Sequence, residues 1–328
     1  MSSSLQINWR GEFPALPNSW YQWPIDENHP SHELESKLYW PSGTISILRT
    51  AFELNLSREV GWKTPESEAF EKAASVYKRG ILVNSQVPQT KTGSYEISQV
   101  SAENLKKLIE DSPVIVVDEK VYNNWKSLFT ELNHEKVILV NCAEEFKTLD
   151  KVAELFTYNP LRQSLHWLII GGGVLSDIAG FAASLLGKSF SFVPTTLLSM
   201  VDACVGGKTG VNFPPFGKNQ LGTFAFPHSV HIYLDFLGTL DSFELRAGTC
   251  EALKHCLLAS ERALFQQTCS QFHLKKFEWP LIANLIQVKA DVIENDPMES
   301  GKRRTLNLGH TLAHALENFA LQNQTPLR

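Results

Sequence analysis

The 328-residue sequence has no apolar run approaching the ~18 residues that a membrane span needs, so no anchor in a bilayer is expected. It opens MSSSLQINWRG, with no charged stretch leading into an apolar core, and no secretory signal is expected either. Cysteine is sparse. The five residues (Cys142, Cys204, Cys250, Cys256 and Cys269) are odd in number and form no C-x-x-C pair. That argues against a disulfide framework or a zinc knuckle, and for buried thiols in a cytoplasmic protein. Neither charge sign dominates: the net charge is −5, with acids and bases interspersed. A nucleic-acid or anionic-membrane surface is therefore not expected, and any basic residue that matters must act locally. What is present is a composition 43% hydrophobic, ample for a core and, at this length, for two domains.

The most informative stretch runs from His166 to Asn219. Leu165–Ile170 is a short apolar run without polar alternation, as in a strand buried on both faces of a parallel sheet. Gly171, Gly172 and Gly173 follow at once, and a helical segment is expected to open at Ser176–Asp177. A strand, a glycine turn and a helix start make an anion site, because the backbone can approach a phosphate and the first-turn N–H groups point at it. Two glycine-lysine loops, Gly206-Gly207-Lys208-Thr209-Gly210 and Gly217-Lys218-Asn219, lie close by. Together the three clusters point to a phosphate-bearing ligand. Neither the dinucleotide fingerprint nor the P-loop spacing is met, because Ser176 stands where G-x-G-x-x-G needs its last glycine. Tight turns in an α/β domain are the alternative.

Residues 1–80 are rich in Trp, Pro and Ser and show no repeat; they read as an extension packed on the main body. Helices are plausible around Thr44–Leu56 and Glu66–Lys78. From about residue 95 strands and helices alternate: a helix at Ser101–Glu110, a strand at Val114–Val117 ending at Asp118, and a helix at Lys120–Leu132. A strand at Val137–Val140, a helix at Glu144–Phe156, the Leu165–Ile170 strand, a helix at Asp177–Leu186 and a strand at Phe190–Val193 follow. That alternation implies a doubly wound parallel sheet with ligands at the carboxyl ends of its strands. Asp118 at a strand end suits a ribose hydroxyl or, equally, a helix N-cap. From Phe243 to Phe319 the pattern is helical. The expected organisation is a segment 1–80, an α/β domain over 81–242 and a helical domain over 243–328, with a cleft between the last two.

Two segments of the helical part carry chemistry. In Gly248-Thr-Cys-Glu251-Ala-Leu-Lys254-His255, the acid, lysine and histidine share one helix face at i, i+3 and i+4. In Asn307-Leu-Gly-His310-Thr-Leu-Ala-His314-Ala-Leu-Glu317, two histidines stand one turn apart. Histidines at i and i+4 can share a divalent metal, with a carboxylate from another helix. Thr311 occupies the position where a zincin needs its glutamate. A solvated charged face and a hydrogen-bonded histidine pair are the alternatives. Lys289, Arg303 and Arg304 flank this region and suit a carboxylate or phosphate.

The residues resemble the 3-dehydroquinate synthase family, within the wider sugar-phosphate cyclases. The strings are AEEFK (143–147), GGGVLSDIAGF (171–181), PTTLLSMVDACVGGKTGVN (194–212), GKN (217–219), D-x3-TL (235–240), G-x2-E-x2-K (248–254) and E-x-G-x-R-x3-N-x-G-H-T-x2-H-A-x-E (299–317). They hold their order over residues 114–325, about two-thirds of the chain. The resemblance implies NAD and a divalent metal, zinc first and cobalt as the alternative, acting on a seven-carbon keto-acid phosphate. It implies a lyase of the shikimate pathway. The reaction would run by transient oxidation, metal-assisted loss of phosphate, re-reduction and intramolecular aldol closure. A cofactor site carried over from the family would include Asp118, Glu144, Lys147, Gly173, Val174, Leu175, Ser176, Asp177, Thr195, Thr196, Lys208, Lys218 and Thr239. Glu251 and His310 match metal ligands. Asp202, Lys208, Asn219, Lys254, Lys289, Arg303, Asn307 and His314 match substrate-holding or catalytic positions. The spacing alone makes His314 a metal ligand; the resemblance moves it to the substrate side.

The chain departs from the family pattern in three places. A third metal ligand is implied in a His-Gly element after the His310 helix, about where Thr325-Pro326-Leu327-Arg328 stands. His255, one turn from Glu251, is the geometric substitute. An arginine-glycine pair that reaches across a homodimer interface in the family is replaced by Leu185-Leu186-Gly187-Lys188. The loop Phe213–Phe216 is one residue longer. A sister cyclase, a metal- and NAD-dependent polyol dehydrogenase and a non-catalytic relative are the competing readings.

Overall fold

The computed structural model describes residues 3–13, 89–130, 132–213, 217–274, 276–296, 302–310 and 313. The helices expected around Thr44–Leu56 and Glu66–Lys78 fall outside these residues, as does His314.

The strands are β1 (Ser4–Phe13), β2 (Gln89–Gln99), β3 (Ile115–Asp118), β4 (Val137–Val140), β5 (His166–Gly171), β6 (Ser189–Pro194), β7 (Lys208–Phe213), β8 (Gly217–Phe224) and β9 (Ser229–Ile232). Seven of them form one sheet in the order β1-β2-β9-β6-β5-β3-β4. Every neighbouring pair is parallel except β1 with β2, so β1 is an antiparallel edge. Val116, Val117, Leu168 and Ile170 have no exposed surface, which is why their strands read as continuous apolar runs. The strand order reverses between β3 and β5. Asp118 and Gly171 end those two strands side by side, and Gly171 stands opposite Pro194 of β6. A crevice outside the carboxyl ends of strands at such a reversal is where ligands bind in open α/β sheets.

The helices are α1 (Ala102–Asp111), α2 (Glu119–Asn124), α3 (Leu149–Leu155), α4 (Asn159–Gln163), α5 (Gly173–Leu185), α6 (Ser242–Ala259), α7 (Arg262–His273) and α8 (Trp279–Asn295). Ser101, Asp118, Thr148 and Asp241 cap α1, α2, α3 and α6 through their side chains. From α6 onward the described elements are helical and close with a 3-10 turn at Lys302–Asn307.

Several elements depart from expectation. The helix expected over Lys120–Leu132 stops at Asn124, and a 3-10 turn at Lys126–Leu128 follows. Trp125 leaves the helix there: its ring packs edge-on against Tyr233 and Phe236, and Nε1–H donates to Thr239 Oγ1 at 3.0 Å. The Glu144–Phe156 helix is split into a 3-10 turn at Glu144–Phe146 and α3, because the Thr148 hydroxyl caps the Lys151 N–H and restarts the helix. Helix α5 opens at Gly173, ahead of the Ser176–Asp177 start. The two glycine-lysine loops are instead a two-stranded antiparallel ribbon, β7 with β8. Gly210 and Gly222 face each other in it so closely that a Cβ on either would stand 2.4 Å and 2.1 Å from the Leu221 and Thr209 carbonyl oxygens. Of the segment 1–80, the described part, Ser4–Phe13, is packed on the main body as the antiparallel edge strand of its sheet.

Candidate active site

The site begins at the carboxyl ends of β3, β5 and β6. Asp118 caps α2, accepting from the Lys120 N–H at 2.8 Å, so the helix-cap reading of this residue is realised. Burial pushes its carboxyl up from the ordinary value, against the pull of the Lys120 N–H and ammonium. Gly172 precedes α5 without a side-chain cap, unlike the residues before α1, α2, α3 and α6. The N–H groups of Gly173, Val174 and Leu175, ahead of the first intrahelical bond from Ser176 N–H to Gly172 O, therefore carry the positive end of a 13-residue helix without a local acceptor side chain. Of that turn, Leu175 and Ser176 are buried, and the Ser176 hydroxyl donates back to Gly173 O. Thr195 N–H donates to Gly171 O at 3.0 Å, and the Thr196 hydroxyl and N–H engage Ser199 Oγ, fixing the turn beyond β6 against the glycines.

The side chain of Asp177 reaches a buried lysine. Lys147, set between the split helical pieces, donates to Asp177 and, at 2.5 Å, to Asn219 Oδ1. Burial pushes the Asp177 carboxyl up, and the Lys147 ammonium only partly opposes it. Asn219 adopts φ +54, in the left-handed region, and its N–H donates to Asn212 Oδ1 at 2.9 Å. Asn212 Nδ2 donates to Glu144 Oε1 at 2.9 Å, and Lys218 pairs with the same oxygen at 3.3 Å. Six residues from three separate segments thus form one network. Asn212 was not singled out from the sequence, although it ends the string GKTGVN.

A second network forms where the π-turn Ser199–Ala203 meets α6 and α8. Lys289 of α8 donates to Asp202 O at 2.6 Å and to Asp202 Oδ1 at 2.5 Å. Burial alone would raise the Asp202 carboxyl, but Lys289 and His255 beside it hold it well below the usual carboxylate range. On α6, Lys254 Nζ stands 2.5 Å from Glu251 Oε1 as an ion pair without hydrogen-bond alignment, and donates to Leu306 O at 2.6 Å. His255, fully buried, engages Leu285 O through Nδ1 at 3.1 Å. Its Nε2 lies 3.5 Å from Glu251 Oε1 and 3.8 Å from Asp202 Oδ1, and no hydrogen-bond partner reaches it. Burial lowers the affinity of this imidazole for a proton, but the two carboxylates outweigh it and push its pKa up. Asp202, Glu251 and His255 bring three ligand atoms within 4.8 Å of one another, the one such His/Cys/Asp/Glu group among the described residues. Asp202 also acts on Asp177, which joins the two networks electrostatically.

The remaining expected residues lie around this pair of networks. Arg303 is buried, donates through Nη2 to Gly206 O at 2.8 Å and packs over the Phe224 ring. Its own N–H donates to Asp296 Oδ2, so this guanidinium is tied to the backbone near the second network. Thr239 accepts from Trp125 and donates to Phe236 O, which occupies its hydroxyl with structural bonds. Lys208 is exposed at the start of β7, and Val174 is half-buried in the first turn of α5. Asn307 is exposed at the end of the 3-10 turn; His310 is half-buried and is not among the three converging donors. No helix among the described residues is long and apolar enough to cross a membrane.

Comparison with known proteins identifies what the chain is similar to. Residues 137–247 match the family model of the 3-dehydroquinate synthase N-terminal region, and residues 248–326 that of its C-terminal region. A 3-dehydroquinate synthase of Campylobacter jejuni subsp. doylei is 36% identical over 241 residues, 67% of this chain and 67% of that protein. One from Pyrococcus abyssi is 39% identical over 214 residues, 63% of this chain and 64% of its own length. The chain thus spans between about half and two-thirds of the length of the curated relatives it matches. Among solved structures, a 2-epi-5-epi-valiolone synthase from Streptomyces hygroscopicus subsp. jinggangensis, with NAD+ and Zn2+ bound, superimposes with a TM-score of 0.63 at 27% identity, over 72% of this chain and 71% of that one. A 2-deoxy-scyllo-inosose synthase shares the fold at 23% identity and a TM-score of 0.55, over 71% of this chain and 68% of its own. With two adjoining family models covering more than half of its length, the chain belongs to the 3-dehydroquinate synthase family.

Proposed function

We propose that the chain is a 3-dehydroquinate synthase, a lyase that converts 3-deoxy-arabino-heptulosonate 7-phosphate to 3-dehydroquinate and phosphate with NAD and a divalent metal. The observation that carries this reading is the meeting of the two lysine–carboxylate networks at the carboxyl end of the sheet, beside an uncapped helix start. The donor set fits both groups. A dinucleotide pyrophosphate suits the first-turn N–H groups of α5, and the partnerless His255 Nε2 beside Glu251 suits a divalent ion. When bound, NAD supplies reversible hydride transfer, and the metal ion lowers the pKa of a hydroxyl and polarises a ketone.

The chain's own residues supply binding, orientation and proton handling. Lys147 holds Asp177 and Asn219 in fixed places, so the turn that receives the dinucleotide is set before it arrives. Lys289 and Lys254, each held by a carboxylate, are placed to receive the carboxylate and phosphate of a sugar-acid phosphate. Arg303 shapes the wall at Gly206. Asn307 and His314 belong to the substrate side on the family's pattern. A division near residue 242 into NAD-binding and metal- and substrate-binding parts, a homodimer and a cytoplasmic location are parts of the same proposal.

The test is to incubate the chain with NAD, zinc and the seven-carbon keto-acid phosphate and to follow phosphate release with and without a chelator. Chelator-sensitive release without net NADH is expected. Binding of NAD without any release would overturn the synthase reading, and net NADH from a simple polyol would point to a dehydrogenase instead.

A further inference from the structure

We propose that His255 is a ligand of the metal, its Nε2 joining Glu251 Oε1 and Asp202 Oδ1 in a three-donor site for a zinc-like divalent ion. This rests on the proposed function in assuming that the site takes a metal, and goes beyond it in naming His255 and Asp202 as donors beside Glu251. Glu251 and His255 lie one turn apart on α6, so a single helix fixes two donors, and the π-turn brings Asp202 to them.

Three observations support it. First, a histidine buried for structural reasons satisfies both ring nitrogens, whereas this fully buried ring satisfies Nδ1 at Leu285 O and leaves Nε2 facing two carboxylates without a hydrogen bond to either. Second, that arrangement is the one metal-bound histidines use: the far nitrogen donates to a backbone carbonyl, which fixes the tautomer and aims the other lone pair. Third, the spacing fits. Two donors ~2.0–2.1 Å from one ion at the tetrahedral angle stand ~3.3–3.4 Å apart. Here Nε2 is 3.5 Å from Glu251 Oε1 and 3.8 Å from Asp202 Oδ1, long for hydrogen bonds and not aligned as such. A protonated His255 paired with both acids is the competing arrangement, and the cobalt titration below separates the two. A mixed nitrogen and oxygen set of this kind accepts zinc or cobalt. Lys289 and Lys254 stand 2.5 Å from these same two oxygens, Asp202 Oδ1 and Glu251 Oε1, so an ion entering the site takes over positions the ammonium groups now neutralise.

The experiment strips the full chain with a chelator and titrates it with Co2+ alone, reading the visible spectrum and the affinity. Wild type is compared with His255→Ala, His255→Gln and His255→Cys, each checked for folding by circular dichroism. Wild type should bind one ion per chain. His255→Ala should bind on the order of 10²-fold more weakly, at or beyond the upper end of what an outer-shell partner is worth. His255→Cys should bind and add a thiolate-to-cobalt charge-transfer band, which a merely structural residue would not produce. If His255→Ala does not fold, His255→Gln, which can still donate to Leu285 O, and His255→Cys decide the matter. Unchanged affinity and spectrum in the variants, or a cysteine variant that binds without the band, would overturn the proposal. In that case, chelator-sensitive phosphate release by wild type would still leave the proposed function standing, with its metal held by other donors. Absence of Co2+ binding to wild type would overturn the proposal too, and chelator-insensitive release would then show a synthase that works without it.

Discussion

Replacing Lys147 by Met keeps the apolar stem of the side chain but removes the ammonium that Asp177 and Asn219 accept from. The lysine is 6% exposed and Asp177 21%, so water makes up little of the loss. At an effective dielectric of ~20, a unit pair ~3–4 Å apart is worth ~4–5 kcal/mol. The stranded carboxylate has an escape: it can take a proton, which from an unperturbed pKa of ~3.9 costs about 4 kcal/mol at pH 7. With one edge of Asp177 still in water, a loss of about 2–4 kcal/mol is expected, in line with broken buried pairs elsewhere. The sign with pH follows from the same group. Burial already raises Asp177 above its ordinary value, and removing Lys147 raises it further. The unfolded chain gives up this proton first as pH rises, so the penalty is complete above the folded pKa and vanishes below the unfolded one. Urea unfolding of wild type and Lys147→Met at about pH 7 and about pH 4 should therefore show a difference that narrows on acidification. Lys147→Met combined with Asp177→Asn should recover much of the loss at pH 7 by removing the stranded charge. A variant as stable as wild type at neutral pH, or a difference that does not change with pH, would refute the assignment of Lys147 as the counter-charge of Asp177.

Gly206 has φ +103, and an added Cβ would stand 2.5 Å from Ile293 Cδ1 and 2.8 Å from Arg303 Nη2. Gly206→Ala should cost ~3–5 kcal/mol from strain and overpacking, whereas Gly187→Ala, at φ +63 with no atom within 4 Å, should cost ~1–2 kcal/mol. Equal shifts in urea midpoint for the two would sink the account of the Arg303 wall. The cluster of His166, His228 and His231 gives an acid limb to stability. Burial pushes His231 down more than Glu96 pushes it up, and burial with His228 alongside pushes His166 down. The unfolded chain therefore takes these protons first as pH falls through ~6.5, and stability present above that pH is lost below it. His231→Asn should flatten the fall in melting temperature between about pH 7 and about pH 5; an unchanged slope would mean that other groups carry it.

The part of the fold legible from residues alone is the part whose local and tertiary demands coincide. β3, β4, β5 and β6 sit where short apolar runs imply them; β3, β5 and β6 are buried inside the sheet, and β4, at its edge, keeps Ile138 and Val140 on the core side with Leu139 exposed. β2 escaped notice: its sequence QTKTGSYEISQ shows an inward alternation only at Tyr95 and Ile97, and its other neighbours are polar. The ribbon of β7 and β8 was hidden by glycines that read as turns. Their purpose is a backbone approach between Gly210 and Gly222 that depends on the partner strand and leaves no local signal. Similarly, the break in the Glu144–Phe156 helix reflects Lys147 turning to residues 30 and 72 positions away. The candidate site was legible as a set of residue types but not as a set of pairs. Glu251, Lys254 and His255 share a face by helical periodicity. That Asp202 stands beside them follows from the π-turn, whose position no periodicity announces.

The pairing itself carries a consequence for anion binding. Four carboxylates, Glu144, Asp177, Asp202 and Glu251, are matched one to one by Lys218, Lys147, Lys289 and Lys254. The two networks are therefore close to neutral, and their lysines are engaged. A phosphate dianion arriving at Lys254 or Lys289 would have to compete with a carboxylate already 2.5 Å away. A divalent ion taken up by Glu251 and Asp202 changes both sides of that competition: it draws charge from the two carboxylates and frees their lysines for the incoming anion. Inorganic phosphate should accordingly bind about tenfold or more tightly, at least ~1.4 kcal/mol, in the zinc-loaded chain than in the chelated one. Isothermal titration at fixed ionic strength measures this directly. If the two affinities are equal, the anion is held by groups outside these pairs, such as Arg303 or residues beyond it, and the lysines act on the carboxylates alone.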